Sequence, residues 1–324
     1  MVQFCRGIIV VDENNEPLAG ATVYFDGTTR GVITNLDGVF NIDKPENINK
    51  PTLVVSYLGY ETLFETNIQN LNKIYQLKPK ADNLDTVNLY ASPFSREEML
   101  EVFKDNFLGR GKPARQCEIL NIDDIIVYYV VKEKTLYATS ANPIIVQNDY
   151  LGYKVKFDLK AFKAKFNTKT LDQKYLNQTF YAGFSFFDDI DPDKSNLRQK
   201  VYDRSLDKFF KSLIEGSLEK TKFEVGYRGF IRKPDYIFEI TTLENNLYKI
   251  NLKSNVIKTF NDKYIPSRII LKYKSDMSTL QFQKPYCRVD QFGNNIDIQH
   301  VSLIGELSES KVAKMLPTNF SERD

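Results

Sequence analysis

Short β-prone runs recur at intervals of roughly eight to twelve residues through the first eighty positions, each bounded by turn-forming residues. They are Gly7-Ile8-Ile9-Val10-Val11-Asp12, Pro17-Leu18-Ala19-Gly20-Ala21-Thr22-Val23, Gly31 to Phe40, and Leu53-Val54-Val55-Ser56-Tyr57-Leu58-Gly59-Tyr60. Asp37-Gly38 lies between Val32-Ile33-Thr34 and Val39-Phe40-Asn41-Ile42, and glycine tolerates the positive φ of a tight turn, so a hairpin is predicted there. Glu13 to Pro17 predicts a second turn, because Pro17 has no N–H to give to a central ladder. The alternation places Val23, Phe25, Phe40, Val54, Ser56 and Ile74 inward. The expectation is a small β-sandwich over residues 1–80.

A polar, proline-containing stretch follows, Leu77-Lys78-Pro79-Lys80-Ala81-Asp82-Asn83, and residues 81–92 read as a linker. Ser95-Arg96-Glu97-Glu98 then carries a helix start, with Ser95 as N-cap and Glu98 at the capping-box position. Met99, Leu100, Val102, Phe103 and Phe107 form its apolar stripe, and Gly109 and Gly111 end it. Strand patterns fill Ile125–Val131, Leu136–Thr139, Ile144–Gln147, Tyr153–Phe166 and Thr179–Phe187. A second helix is predicted over Asn196–Leu218, with Val201, Leu206, Phe209, Phe210, Leu213 and Ile214 on one face. Strands resume at Lys222–Phe230, Tyr236–Thr241, Leu247–Leu252, Ile265–Tyr273, Thr279–Gln283 and His300–Gly305, and a last helix runs from Ser308 or Ser310 to before Pro317. Residues 93–324 therefore read as a mostly antiparallel, strand-rich α+β domain with about three helices.

The 324 residues suffice for two ordinary cores, and 42% hydrophobic with 27% charged residues is the composition of soluble globular protein. With 44 Lys and Arg against 42 Asp and Glu, the net charge of +2 argues against a nucleic-acid partner, which needs a clustered basic field. No apolar run is long enough for a transmembrane helix. Strand character begins near Val2 without a leader pattern, so Met1 is expected to start a trimmed, mature chain.

The spacing Gly7…Asp12…Pro17-Leu18…Gly20-Ala21…Val23…Gly31…Thr34…Asp37-Gly38…Phe40…Val54…Ser56…Gly59-Tyr60 resembles the carboxypeptidase-regulatory-like domain family. That resemblance covers about a quarter of the chain and implies a transthyretin-like, seven-stranded sandwich. In metallocarboxypeptidases such a module accompanies a zinc domain, and similar modules precede the plug of outer-membrane transporters. The remaining residues are too few for a barrel of about 22 strands. Phe107-Leu108-Gly109…Cys117…Asn121, Asn148 to Tyr153 and Val312 to Pro317 resemble chains described as carboxypeptidase-like regulatory domain-containing proteins of Gram-negative bacteria. The resemblance implies an exported, periplasmic or outer-membrane-associated protein.

Candidate chemistry is sparse. One histidine, His300, cannot build a zinc hydrolase centre, and no acidic or cysteine partner stands at metal-ligand spacing from it. Cys5, Cys117 and Cys287 are far apart and odd in number, which suits buried small hydrophobes better than a disulfide framework. Asp189, Asp191 and Asp193 have the alternating spacing of a calcium loop, but the glycine is missing and Lys200 stands where the closing glutamate belongs; the competing reading is a solvated loop before a helix. Glu97, Glu98, Glu101 and Asp105 fit an exposed helix face better than an acid–base pair. Gly109-Arg110-Gly111-Lys112 lacks P-loop spacing, and Gly226-Tyr227-Arg228-Gly229-Phe230 is a lone aromatic-basic run. Tyr57, Tyr60, Tyr128, Tyr129, Tyr150 and Tyr153 are candidates for an aromatic platform, against the plain alternative of cross-strand packing.

These features predict a non-catalytic protein without cofactor, with a protein or glycan partner at the cell envelope. The alternatives are a carbohydrate- or peptide-binding accessory protein for nutrient uptake, and a hydrolase with an unrecognised Asp/Glu site in the second domain.

Overall fold

The apolar runs at the start of the chain become seven strands in two sheets. The structure, a computed structural model, describes residues 4–45, 48, 51–68, 74–80, 92–297, 299–309 and 311–320. The linker expected at 81–92 lies outside these residues, apart from its last position. The chain divides into two compact units, 1–193 and 194–324.

In the first unit, β1 (Phe4–Val11), β2 (Thr22–Phe25), β3 (Gly31–Ile33), β4 (Val39–Asp43), β5 (Leu53–Ser56), β6 (Leu63–Glu65) and β7 (Ile74–Gln76) form sheets ordered β4-β1-β7 and β3-β2-β5-β6. Val10, Val23, Phe25, Phe40, Leu53, Val55 and Tyr75 fill the space between them. Val23, Phe25 and Phe40 therefore point inward as expected, whereas β5 and β7 have the opposite phase. Leu53, Val55 and Tyr75 are the core residues, and Ile74 is 57% exposed.

Asp37-Gly38 does not close a hairpin. The turn carries the chain from β3 in one sheet to β4 in the other, since β3 pairs with β2 and β4 with β1. Side chains redirect it: Thr34 Oγ1 accepts from Ala21 N (2.9 Å) and donates to Leu18 O, while Asn35 Oδ1 accepts from Val39 N (2.8 Å). Gly38 is required there, because its φ is +70° and a Cβ would run into the Val10 carbonyl oxygen.

Helix α1 (Arg96–Phe107) begins on the predicted capping box, with Glu98 N donating to Ser95 Oγ (3.2 Å) and Ser95 N to Glu98 Oε2 (2.7 Å). A short turn, α2 (Lys112–Arg115), leads into a six-stranded sheet. Its strands are β8 (Cys117–Ile119), β9 (Ile125–Val130), β10 (Thr135–Ser140), β11 (Ile144–Asn148), β12 (Tyr153–Phe166) and β13 (Leu176–Asp189). Long β12 pairs with β11 through its first half, with β10 near its end, and with β13 along the other edge. Phe103 and Phe107 of α1 meet Phe162 and Phe157 edge-on at 4.8 and 5.2 Å.

In the second unit, α3 (Ser195–Tyr202) and α4 (Leu206–Ile214) replace the single helix expected over 196–218. Ser205 breaks it: its Oγ accepts from Lys208 N (3.0 Å) and restarts the helix as an N-cap. The strands are β14 (Phe223–Tyr227), β15 (Phe230–Arg232), β16 (Phe238–Thr242, after the short turn α5, Pro234–Ile237), β17 (Leu247–Leu252), β18 (Lys258–Phe260), β19 (Lys263–Ile265), β20 (Ser267–Tyr273), β21 (Asp276–Phe282), β22 (Tyr286–Asp290) and β23 (Val301–Gly305). They assemble as β15-β14-β20-β21-β23, β16-β17-β22 and the hairpin β18-β19, all antiparallel. Phe209, Phe210 and Leu213 of α4 join Val225, Ile250, Leu271, Leu280 and Cys287 in one core. The expected final helix is two 3-10 turns, Glu306–Glu309 and Val312–Lys314; Ser310 lies outside the described residues.

The mainly β fold class is as the sequence implied, and α1, α3 and α4 are the helices of eight or more residues among the described residues. No helix among them is long and apolar enough to cross a membrane.

Candidate functional site

The strand runs Val23-Tyr24-Phe25 and Leu53-Val54-Val55 are buried at every position, so the central strands β2 and β5 are covered on both faces. One face is the sandwich core. The other meets the polar side of the β12–β13 ribbon. Tyr24 packs on Phe186 at 5.3 Å and Phe64 on Phe184 at 5.3 Å. The loop between β2 and β3 is bonded to β13: Gly27 N donates to Ser185 O, Ser185 N to Asp26 Oδ1 (2.6 Å), and Phe187 N to Thr28 O (3.0 Å). Gly31 admits the Phe186 ring, which would lie 2.5 Å from an added Cβ. Burial pushes the Asp26 carboxyl up to about 6 against the lowering effect of those backbone donors.

This layered arrangement leaves a half-open cavity of about 230 Å³. Thr22, Tyr24, Ser56 and Tyr57 line it from the sandwich, and Asn142, Ile145 and Lys156 from the second sheet, with Lys80 at its border. Lys80 Nζ donates to Ala141 O. Burial lowers the Lys156 ammonium below the ordinary lysine value, partly countered by Asp188. Asp26 and Asp158 act on the Tyr24 hydroxyl, which burial first and these charges second push upward. Asp158 is itself paired with Lys160 at 2.8 Å.

In the second unit, β15 is a sheet edge whose three side chains, Phe230, Ile231 and Arg232, are all exposed. The Arg232 guanidinium lies 5.3 Å from the Phe230 ring and 5.2 Å from the Tyr236 ring. Beside it opens a groove of about 980 Å³ lined by Ile231, Arg232, Lys233, Asp235, Tyr236, Glu239 and Lys253, among others. Arg228 and Gly229, both at positive φ, make the tight turn between β14 and β15. The aromatic-basic run singled out in the sequence is thus a hairpin that presents an open edge.

Residues 5–89 match the family model of the CarboxypepD_reg-like domain. The N-terminal sandwich is a CarboxypepD_reg-like domain. Modules of this family are regulatory rather than catalytic. The searches of curated proteins and of solved structures each find no match.

Within the CarboxypepD_reg-like domain, Tyr57 lines the cavity and Tyr60 stands against it with ring centroids 5.5 Å apart. Tyr153 and Tyr129 are buried at 0% and 2% exposure, so neither can offer a ring to a ligand. Tyr153 packs edge-on against Phe187 because its position on β12 faces the α1 side of the sheet. Tyr128 stacks on Tyr137 at 5.4 Å, and Tyr150 lies in the turn before β12 and does not line the cavity.

Asp189 ends β13, and Asp191 and Asp193 follow in a turn where Asp193 N donates to Asp191 Oδ1 (3.2 Å). Among the described residues no group of three His, Cys, Asp or Glu side chains is placed to hold a metal. Cys117 and Cys287 are free thiols, half-buried and buried, and desolvation pushes both up to about 12; the Cys5 side chain lies outside the description. His300 does have an acidic neighbour, contrary to the reading from spacing. A turn brings its Nδ1 to 3.6 Å from Asp297, but that carboxylate is already engaged by the Arg288 guanidinium at 2.7 Å and held low by it.

The sequence missed one carboxylate pair. Burial first, and Asp290 second, push Asp207 up to about 7. Asp290 holds a turn, accepting from Phe292 N and Asn294 N at 2.9 Å each, and neither carboxylate lines the groove beside β15.

Proposed function

We propose that this chain is a non-catalytic interaction protein, exported and acting in the periplasm or at the outer-membrane surface, which docks an extended segment of a protein partner onto β15. The observation that carries the reading is the open edge at β15. In an antiparallel hairpin closed by a two-residue turn, Phe230 and Arg232 spend their main-chain groups on β14 and Ile231 directs its own outward. An added strand would find these groups, two aromatic rings and an adjoining groove with charges of both signs. The CarboxypepD_reg-like domain supports a regulatory or structural role over bond chemistry, and its exposed Leu36 and Leu58 offer further apolar contact.

The test is a photo-crosslinking amino acid at Phe230 in the native host, with and without Ile231→Pro, followed by cell fractionation. Adducts in the envelope fraction that disappear with the proline variant are expected. Protein confined to the cytosolic fraction, or adducts indifferent to the proline, would overturn the proposal.

A further inference from the structure

The cavity between the CarboxypepD_reg-like sandwich and the second sheet has a charge pattern that its structural role does not need. Lys80 and Lys156 are the charged side chains in its lining among the described residues, and no carboxylate lines it. Asp188 acts on Lys156 from the neighbouring strand, and Asp26 and Asp158 act on Tyr24; all three lie outside the lining. The Lys80 ammonium gives one proton to Ala141 O and has two more to donate. Asn142 gives an amide proton to Asp124 (3.1 Å), and no hydrogen bond engages its amide oxygen among the described residues. Thr22 and Ser56 bring hydroxyls, and Tyr57, half-buried and braced by Tyr60, brings an aromatic face.

The volume of about 230 Å³ equals roughly eight water molecules of liquid. That is room for one substituted ring and too little for a chain of them. A half-buried ammonium beside an aromatic ring and short polar groups is the chemistry that recognises a carboxylate on a hydroxylated ring. We propose that this cavity binds an acidic monosaccharide, with Lys80 and Lys156 holding the carboxylate, Tyr57 covering the ring and Asn142, Thr22 and Ser56 meeting its hydroxyls. The inference is independent of docking at β15, which belongs to the other unit.

Calorimetric titration of the full chain with glucuronate, glucose and inorganic phosphate tests it. Glucuronate should bind at least tenfold more tightly than either of the others. Lys156→Met should weaken glucuronate at least tenfold with a thermal melt unchanged from the parent, and Lys80→Met serves as the second variant if the first does not fold. Tyr57→Ala should weaken glucuronate while leaving phosphate where it was. Equal binding of glucose would remove the lysines from the account, and equal binding of phosphate would reduce the site to a plain anion site. Either result, or no heat with any of the three, would overturn the proposal.

Discussion

Replacing Asp207 by asparagine should raise stability at pH 8 far more than at pH 5. Asp207 lies in the first turn of α4, and the Asp290 turn is pressed against it; a Cβ on Gly293 would run into the Asp207 carbonyl oxygen and the Lys211 nitrogen. Burial and the Asp290 charge raise its carboxyl from 3.8 to about 7. A raised acid binds its proton more tightly in the folded state, so its contribution is complete below pH 3.8 and is lost as pH rises through 7. At about 1.36 kcal/mol per unit, the loss is roughly 2 kcal/mol at pH 5 and about 4 kcal/mol at pH 8. Asparagine removes it and gives back about 0.3–1 kcal/mol of helix N-terminal charge interaction. The advantage of Asp207→Asn should therefore grow by about 2–3 kcal/mol between pH 5 and pH 8. Urea unfolding at both pH values reads this from the midpoint at constant slope. An advantage that does not change with pH, or a variant less stable at pH 8, would show that the Asp207 carboxyl is not raised in the folded state.

Gly31→Ala should destabilise the first unit by about 1–2 kcal/mol, because the new methyl sits 2.5 Å from the Phe186 ring, which Tyr24 holds on its other contacts. A urea midpoint equal to that of the parent would mean the sandwich and β13 are not packed this way. Ser95→Ala should cost about 1 kcal/mol by opening the capping box, measurable as faster amide exchange in the first turn of α1; unchanged exchange there would count against the cap.

Local signals carried well where the chemistry was local. The capping box at Ser95 and Glu98 and the bounds of β12 and β17 follow from side chains acting within a few residues of themselves, whereas the seven strands of the sandwich were implied by the family resemblance. The phase of β5 and β7 did not, because a strand buried on both faces, such as Leu53-Val54-Val55, shows no alternation from which to read an inside. The break at Ser205 was missed, because one apolar face continues across it and only the serine side chain marks the new N-cap. β22 was also missed, a five-residue run too short to stand out between Pro285 and Gly293.

By itself the sequence determined the mainly β class, the start of α1 and the CarboxypepD_reg-like sandwich, since each rests on residue identity or on short-range pattern. Tertiary structure alone decided that Tyr57, Lys80, Asn142 and Lys156 share one cavity, that Tyr153 is core, and that Asp207 meets Asp290. These pairings join residues tens of positions apart, and only the stacking of one sheet on another, or of a turn on a helix, brings such groups within reach.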